Sequence, residues 1–268
     1  MRIFRFWRQI ERTIRIDGRP LALHCFGGSN VSVEDAQRDA QARLDRVIRK
    51  VTERVASSET YEADIREPIL ARLDDRNIVT RNRYGAEVLN STEVMFVDID
   101  EPPMRLWDLF VPARTPQQRK DRMVAHVRRQ MDRAEFRALG IRLYETPRGI
   151  RAIVVGRDFD PMAADTRRLL RLLNADRLYA ALCHRQGCFR ARLTPKPHRI
   201  KLHAIKVRHP AADAAEEARI ASWVENYNRA RVNYSACRFI GTCGLDMGNA
   251  AIEYHDRATG AHAGKRLA

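Results

Sequence analysis

Residues 82–100, NRYGAEVLNSTEVMFVDID, decide the fold. They read as two extended segments, Tyr84–Leu89 and Val94–Asp100, joined by a short Asn/Ser/Thr turn. Side chains alternate along a strand, so Val94, Phe96, Asp98 and Asp100 share one face while Met95, Val97 and Ile99 share the other. An apolar strand thus ends in two carboxylates about 7 Å apart. Left alone they repel each other and weaken the strand end. A divalent cation or arginine partners would relieve this, and the sequence leaves both solutions open. Pro102 and Pro103 are expected to stop the strand.

Outward from that stretch the pattern alternates between helix and strand. Short strands are expected at residues 12–16 and 21–26 around Asp17-Gly18-Arg19-Pro20. Val33, Ala36, Ala40, Leu44, Val47, Val51 and Val55 recur at helical spacing, with Ser32 and Asp35 suited to the N-cap and third helical position. Gly27-Gly28-Ser29-Asn30 precedes that helix; it reads as a turn and lacks the lysine of a phosphate loop. A polar helix is expected over 116–139 with Gly140 as its C′ residue. A hairpin follows in IRLYETPRGIRAIVV, then helices near 162–174, 176–183 and 214–231, and a C-terminal strand at 250–255. The expectation is an α+β protein, a mainly antiparallel sheet with helices packed on one face. An N-terminal module (1–78), either a smaller separate unit or a second edge of the same sheet, would precede a larger domain (79–268).

The 268 residues carry 49 Lys+Arg against 34 Asp+Glu, a formal charge of +15. Such an excess favours polyanionic partners, because cations that neutralise phosphates release condensed counterions. Its distribution says more. Residues 177–212 hold nine Lys or Arg and four His but no Asp or Glu. Within them Arg190, Arg192 and Thr194 alternate with Phe189, Ala191 and Leu193, giving a strand with one apolar and one cationic face. Arg199, Lys201 and His203 are expected to repeat the pattern on the next strand. With Lys196, this surface is suited to phosphate groups.

Other constellations are weaker. Cys183, His184, Cys188, Cys237 and Cys243 lack the tight C-x2-C spacing of structural zinc sites, so small buried thiols are expected. Glu253-Tyr254-His255-Asp256 places a His beside a carboxylate, but on a strand the two would point to opposite faces. No apolar run nears the ~20 residues of a membrane span, and the N-terminus is interrupted by Arg, so a cytoplasmic protein is expected.

Three segments together, FVDID, TPRGIRAIV and FRARLTPKPHR, resemble the catalytic palm of the archaeo-eukaryotic primase and primase-polymerase superfamily. The resemblance implies an RRM-like palm in which Asp98 and Asp100 are catalytic and ligate Mg²⁺ or Mn²⁺. It further implies a nucleotidyltransferase acting on nucleic acid or nucleotides, and on such a palm the charge pattern would set Arg148, Arg151, Arg190, Arg192, Lys196, Arg199 and Lys201 on phosphates. Arg151 stands where the family carries a nucleotide-contacting His. Asp160, Asp176 and Asp246 are the candidates for a third carboxylate. A noncatalytic binding or assembly protein with a degenerate palm, and a metal-dependent phosphoesterase, are the alternatives.

Overall fold

A computed structural model describes residues 1–53, 63–100 and 115–268. The N-terminal ribbon pairs β1 (Phe6–Ile16) with β2 (Arg19–Ser29), antiparallel throughout. Asp17 and Gly18 both take positive φ at its tip, the conformation a two-residue hairpin turn needs. Helix α1 (Val33–Thr52) packs Ala36, Ala40 and Leu44 inward, and the Ser32 side chain accepts from the Asp35 N–H as its cap. A Cβ at Gly27 would lie 2.1 Å from the Ala40 nitrogen, so helix and ribbon touch backbone to backbone there. Gly28 donates its N–H to Asp39 Oδ2 at 2.9 Å, and the glycine pair is therefore strand, engaged by the protein itself.

Two four-stranded antiparallel sheets build the rest. In the first, β3 (Ile69–Arg72), β4 (Asn77–Arg81), β5 (Glu87–Ser91) and β9 (Phe189–Arg192) lie in that spatial order. The boundary expected at residue 78 falls inside β4. In the second, β6 (Met95–Asp100), β7 (Gly140–Glu145), β8 (Gly149–Val155) and β11 (Arg238–Gly244) run in the order β11-β7-β8-β6. The chain is an α+β protein, as the alternating pattern predicts.

The two segments of the opening stretch do not form a hairpin. They enter different sheets, because the Ser91 hydroxyl accepts from the N–H groups of Glu93 and Val94 and turns a corner between them. The first segment also starts later than expected: Asn82 Oδ1 accepts from Tyr84 and Ala86 N–H, holding residues 82–86 in a turn. The Pro102–Pro103 stop and Val55 lie outside the described residues.

Helices α2 (Pro116–Gln130) and α3 (Ala164–Leu172) contribute Val127, Leu169 and Leu170 to the core that Met95, Val97, Leu143, Ala152 and Val154 form. The long helix expected over 116–139 ends at Gln130, and Gly140 begins a strand instead of capping it. A Cβ there would meet the Leu245 carbonyl oxygen at 1.7 Å. Helix α4 (Arg177–Gln186) leads into β9, and α5 (Ala214–Ala230) buries Tyr227. A short parallel pair, β10 (Tyr234–Ser235) and β12 (Arg266–Leu267), ties in the C-terminus.

Two further expectations are corrected. Residues 250–255 belong to helix α6 (Ala250–Thr259), capped by the Asn249 side chain and by Gly260 at φ 68. Its buried positions, Ala251, Ile252, His255 and Thr259, follow the helical period. The basic stretch holds a single strand, the four-residue β9; Pro197 then opens a 3-10 turn over Pro197–Ile200, and Lys201 leaves it at φ 60. Arg199, Lys201 and His203 are thus not on a strand. No helix among the described residues is long and apolar enough to cross a membrane.

Candidate anion-binding site

The register of β6 against β8 sets Asp98 opposite Arg151 and Asp100 opposite Gly149. Gly149 is required there, since a Cβ would sit 2.2 Å from the Ile99 carbonyl oxygen. The Arg151 side chain is 3% exposed and donates to both oxygens of Asp98, Nε to Oδ1 at 2.7 Å and Nη2 to Oδ2 at 3.2 Å. Its Nη1 donates to the Arg192 carbonyl at 2.9 Å and faces His255 Nε2 at 3.2 Å. A guanidinium can only donate, so Nε2 must accept and the imidazole hydrogen sits on Nδ1. That Nδ1–H donates to Asp256 Oδ1 at 2.9 Å, and Arg142 Nη2 donates to Asp256 Oδ2 at 3.3 Å. The His–Asp neighbours that a strand would have separated are hydrogen-bonded to each other on α6.

The energetics of this chain follow from burial against pairing. Burial acts to raise the Asp98 pKa, but Arg151, with lesser help from Arg192, outweighs it and holds the carboxyl below its usual range. Burial likewise opposes the charge on Arg151, and Asp98 overcomes it. His255 is pushed down by burial and by Arg151, against the pull of Asp256, and stays neutral.

Beside this neutralised pair stands a group of cations. Arg192 is pushed down to about 10 by burial and by repulsion from Arg151, and its Nε is buried with no hydrogen-bond partner among the described residues. Lys196 is lowered by burial and by Arg192, Arg199 and Arg148, with Asp100 opposing. Arg199 is lowered by burial and by Arg148, again against Asp100. Arg148 rides the β7–β8 turn, closed by the Thr146 N–H on the Gly149 carbonyl at 3.0 Å. None of Arg148, Arg192, Lys196 or Arg199 forms a salt bridge among the described residues. Like charges held this close destabilise one another until an anion joins them.

The fold therefore gathers Asp98, Asp100, Arg148, Arg151, Arg192, Lys196 and Arg199, and leaves out two of the expected residues. Arg190 is bound to Glu67 at 2.6 Å. Lys201 is exposed beyond the 3-10 turn. Thr194 is also removed from the cationic face: it is buried, and its hydroxyl receives the Glu87 N–H and the Tyr227 hydroxyl. Of the candidate third carboxylates, Asp176 caps α4 while its own N–H meets the Asp98 carbonyl at 3.1 Å. Asp246 pairs with Arg142, and Asp160 accepts from the Met162 N–H. The sequence reading missed Arg142, Asp256 and His255 as a buried network; their helical and strand periods were the available signal.

Mg²⁺ and Mn²⁺ prefer oxygen ligands, commonly one or two carboxylates with water and substrate phosphate. Asp100 is exposed and forms no hydrogen bond or salt bridge among the described residues, but Arg151 occupies both oxygens of Asp98. The pair consequently does not fit a two-metal clamp in this arrangement. Among the described residues no three His, Cys, Asp or Glu side chains converge as metal ligands. Burial pushes the thiols of Cys183 and Cys237 up to about 11 and that of Cys188 to about 12, which favours the protonated form. No family model, curated protein or solved structure matches this chain.

Proposed function

We propose that the chain binds nucleic acid through its phosphates, with Arg148, Arg192, Lys196 and Arg199 as the contacting cations and the Asp98–Arg151 pair as their structural backing. The observation that carries this reading is Arg192: its guanidinium Nε is buried, unpartnered among the described residues, and crowded by other cations. A phosphate oxygen there would complete a charge-assisted hydrogen bond and relieve the repulsion at once. Asp98 is neutralised from within, so it does not oppose an incoming anion as a free carboxylate would. Acid-free residues 177–212 extend the same local field.

The test is fluorescence anisotropy of labelled single-stranded DNA and RNA in EDTA, for the wild type and for Arg192→Ala/Lys196→Ala. The reading expects binding without metal and a loss of about tenfold or more in the variant, equivalent to ~1.4 kcal/mol. Equal affinity in both proteins would overturn it. A second reading, metal-dependent nucleotidyl transfer or phosphate-ester cleavage, draws on Asp100 alone, the carboxylate on that face with neither oxygen engaged among the described residues. It expects Mn²⁺-dependent strand extension or phosphate release that Asp100→Ala abolishes, and it is set aside if neither product forms.

A further inference from the structure

A separate cleft encloses about 1010 Å³, and none of Asp98, Asp100, Arg148 or Lys196 lines it. Its walls are the β1–β2 ribbon, the segment leading into β3, the end of β4 and residues 206–212. Two acids line it, Asp64 and Glu67, and both are already engaged: Asp64 with Arg43 and Arg2, Glu67 with Arg190. Arg81 is likewise satisfied, donating Nη1 to the Gly85 carbonyl at 2.8 Å. Five cations remain in the lining, Arg8, Arg66, Arg83, Lys206 and Arg208, with no salt bridge among the described residues.

Arg66 is the most informative of the five. Its guanidinium lies 3.5 Å from the centroid of the Phe26 ring. Stacking holds the planar fork in place while leaving its edge N–H groups free, an arrangement suited to phosphate. At the same cleft, the side-chain Oε1 of Gln186 is buried and has no hydrogen-bond partner among the described residues. A buried acceptor left unmade costs free energy, and a ligand donor would satisfy it. The volume matches clefts that enclose small molecules. The occupant these features call for carries several negative charges at one end and a hydroxyl or amino donor at the other.

We propose that this cleft is a binding site for a nucleoside polyphosphate, its phosphates taken by Arg66, Arg208 and Lys206 and its sugar or base donating to Gln186. The proposal does not rest on nucleic-acid binding at Arg192, and the two are separable by variant. Inorganic tripolyphosphate carries the same charge without the donor, so it distinguishes a polyphosphate site from a nucleotide site.

Calorimetric titration of the full chain with ATP and with tripolyphosphate in EDTA tests it. The expected result is one ATP per chain, with tripolyphosphate competing but binding more weakly. Arg66→Ala/Arg208→Ala should weaken both ligands by about tenfold or more, whereas Arg192→Ala/Lys196→Ala should change them by less than about twofold. Gln186→Leu should weaken ATP and spare tripolyphosphate. Arg66 and Arg208 are exposed, so the double variant should melt with the wild type; if it does not, Lys206→Ala/Arg83→Ala, also exposed, must show the loss. Absence of saturable ATP binding overturns the proposal, as does equal affinity for ATP and tripolyphosphate. Loss of oligonucleotide binding together with ATP binding in the cleft variant would also overturn it, making the cleft part of a strand-binding track.

Discussion

Removing Asp98 exposes how far its pairing with Arg151 supports the fold. Asp98→Ala deletes two charge-assisted hydrogen bonds and strands a guanidinium whose side chain is 3% exposed. Breaking a buried pair by removing one partner costs roughly 3–5 kcal/mol. The Asp98 side chain is 33% exposed, so water can partly replace it, and the lower end, about 3 kcal/mol, is expected. For a chain of this size that corresponds to a melting shift of about 6–12 °C. Asp100→Ala is the control: exposed and without a salt bridge among the described residues, it should change stability by no more than about 0.5 kcal/mol. Asp98→Leu/Arg151→Met should recover much of the loss, since both charges leave together, although the Arg192 carbonyl and His255 Nε2 lose a donor. Urea denaturation of the four proteins measures this. A cost below about 1 kcal/mol for Asp98→Ala, or equal costs at the two aspartates, would refute the structural role of the pair.

The same network yields an acid signature. Asp98 has a folded pKa below its unfolded value of ~3.9, so its stabilisation is present above that value and is lost as pH falls through the folded one. Asp98→Asn should accordingly flatten the stability profile below about pH 4 in urea melts. His255 is depressed from ~6.5 in the folded state, so the unfolded chain binds the extra proton and stability falls as pH drops below that value. By NMR its ring should stay neutral, with hydrogen on Nδ1, well below pH 6.5; a midpoint at the ordinary histidine value would contradict the Arg151 contact. Gly27→Ala should destabilise by at least ~1–3 kcal/mol through its clash with the α1 backbone, and leave oligonucleotide affinity of the folded protein unchanged. Loss of binding at unchanged stability would return a ligand role to that glycine pair.

What the sequence made legible was local. Helix α1 followed from the spacing of Ala36, Ala40 and Leu44 and from the Ser32 cap. The shared face of Asp98 and Asp100 followed from strand alternation. Their different fates did not, because Arg151 meets Asp98 only through the register of β6 on β8, which lies 53 residues away along the chain. The corner at Ser91 was hidden for a related reason: a short polar turn serves a hairpin and a change of sheet equally well. Helix α6 was legible and misread; Asn249 and Gly260 bracket a helical period that the run Ile252-Glu253-Tyr254 obscured. In the basic stretch, Pro195 and Pro197 already argued against a second strand. The cation cluster survives that change because Lys196 and Arg199 reach Arg192 and Arg148 from a turn.

The salt dependence of oligonucleotide binding tests the phosphate-contact account most directly. Each phosphate contact on a single strand contributes about −0.7 to the slope of log K against log salt. In EDTA, Arg148→Ala/Lys196→Ala/Arg199→Ala should therefore give a slope shallower than wild type by about 2. Identical slopes in the two proteins, or binding that appears only when Mn²⁺ is added, would contradict it.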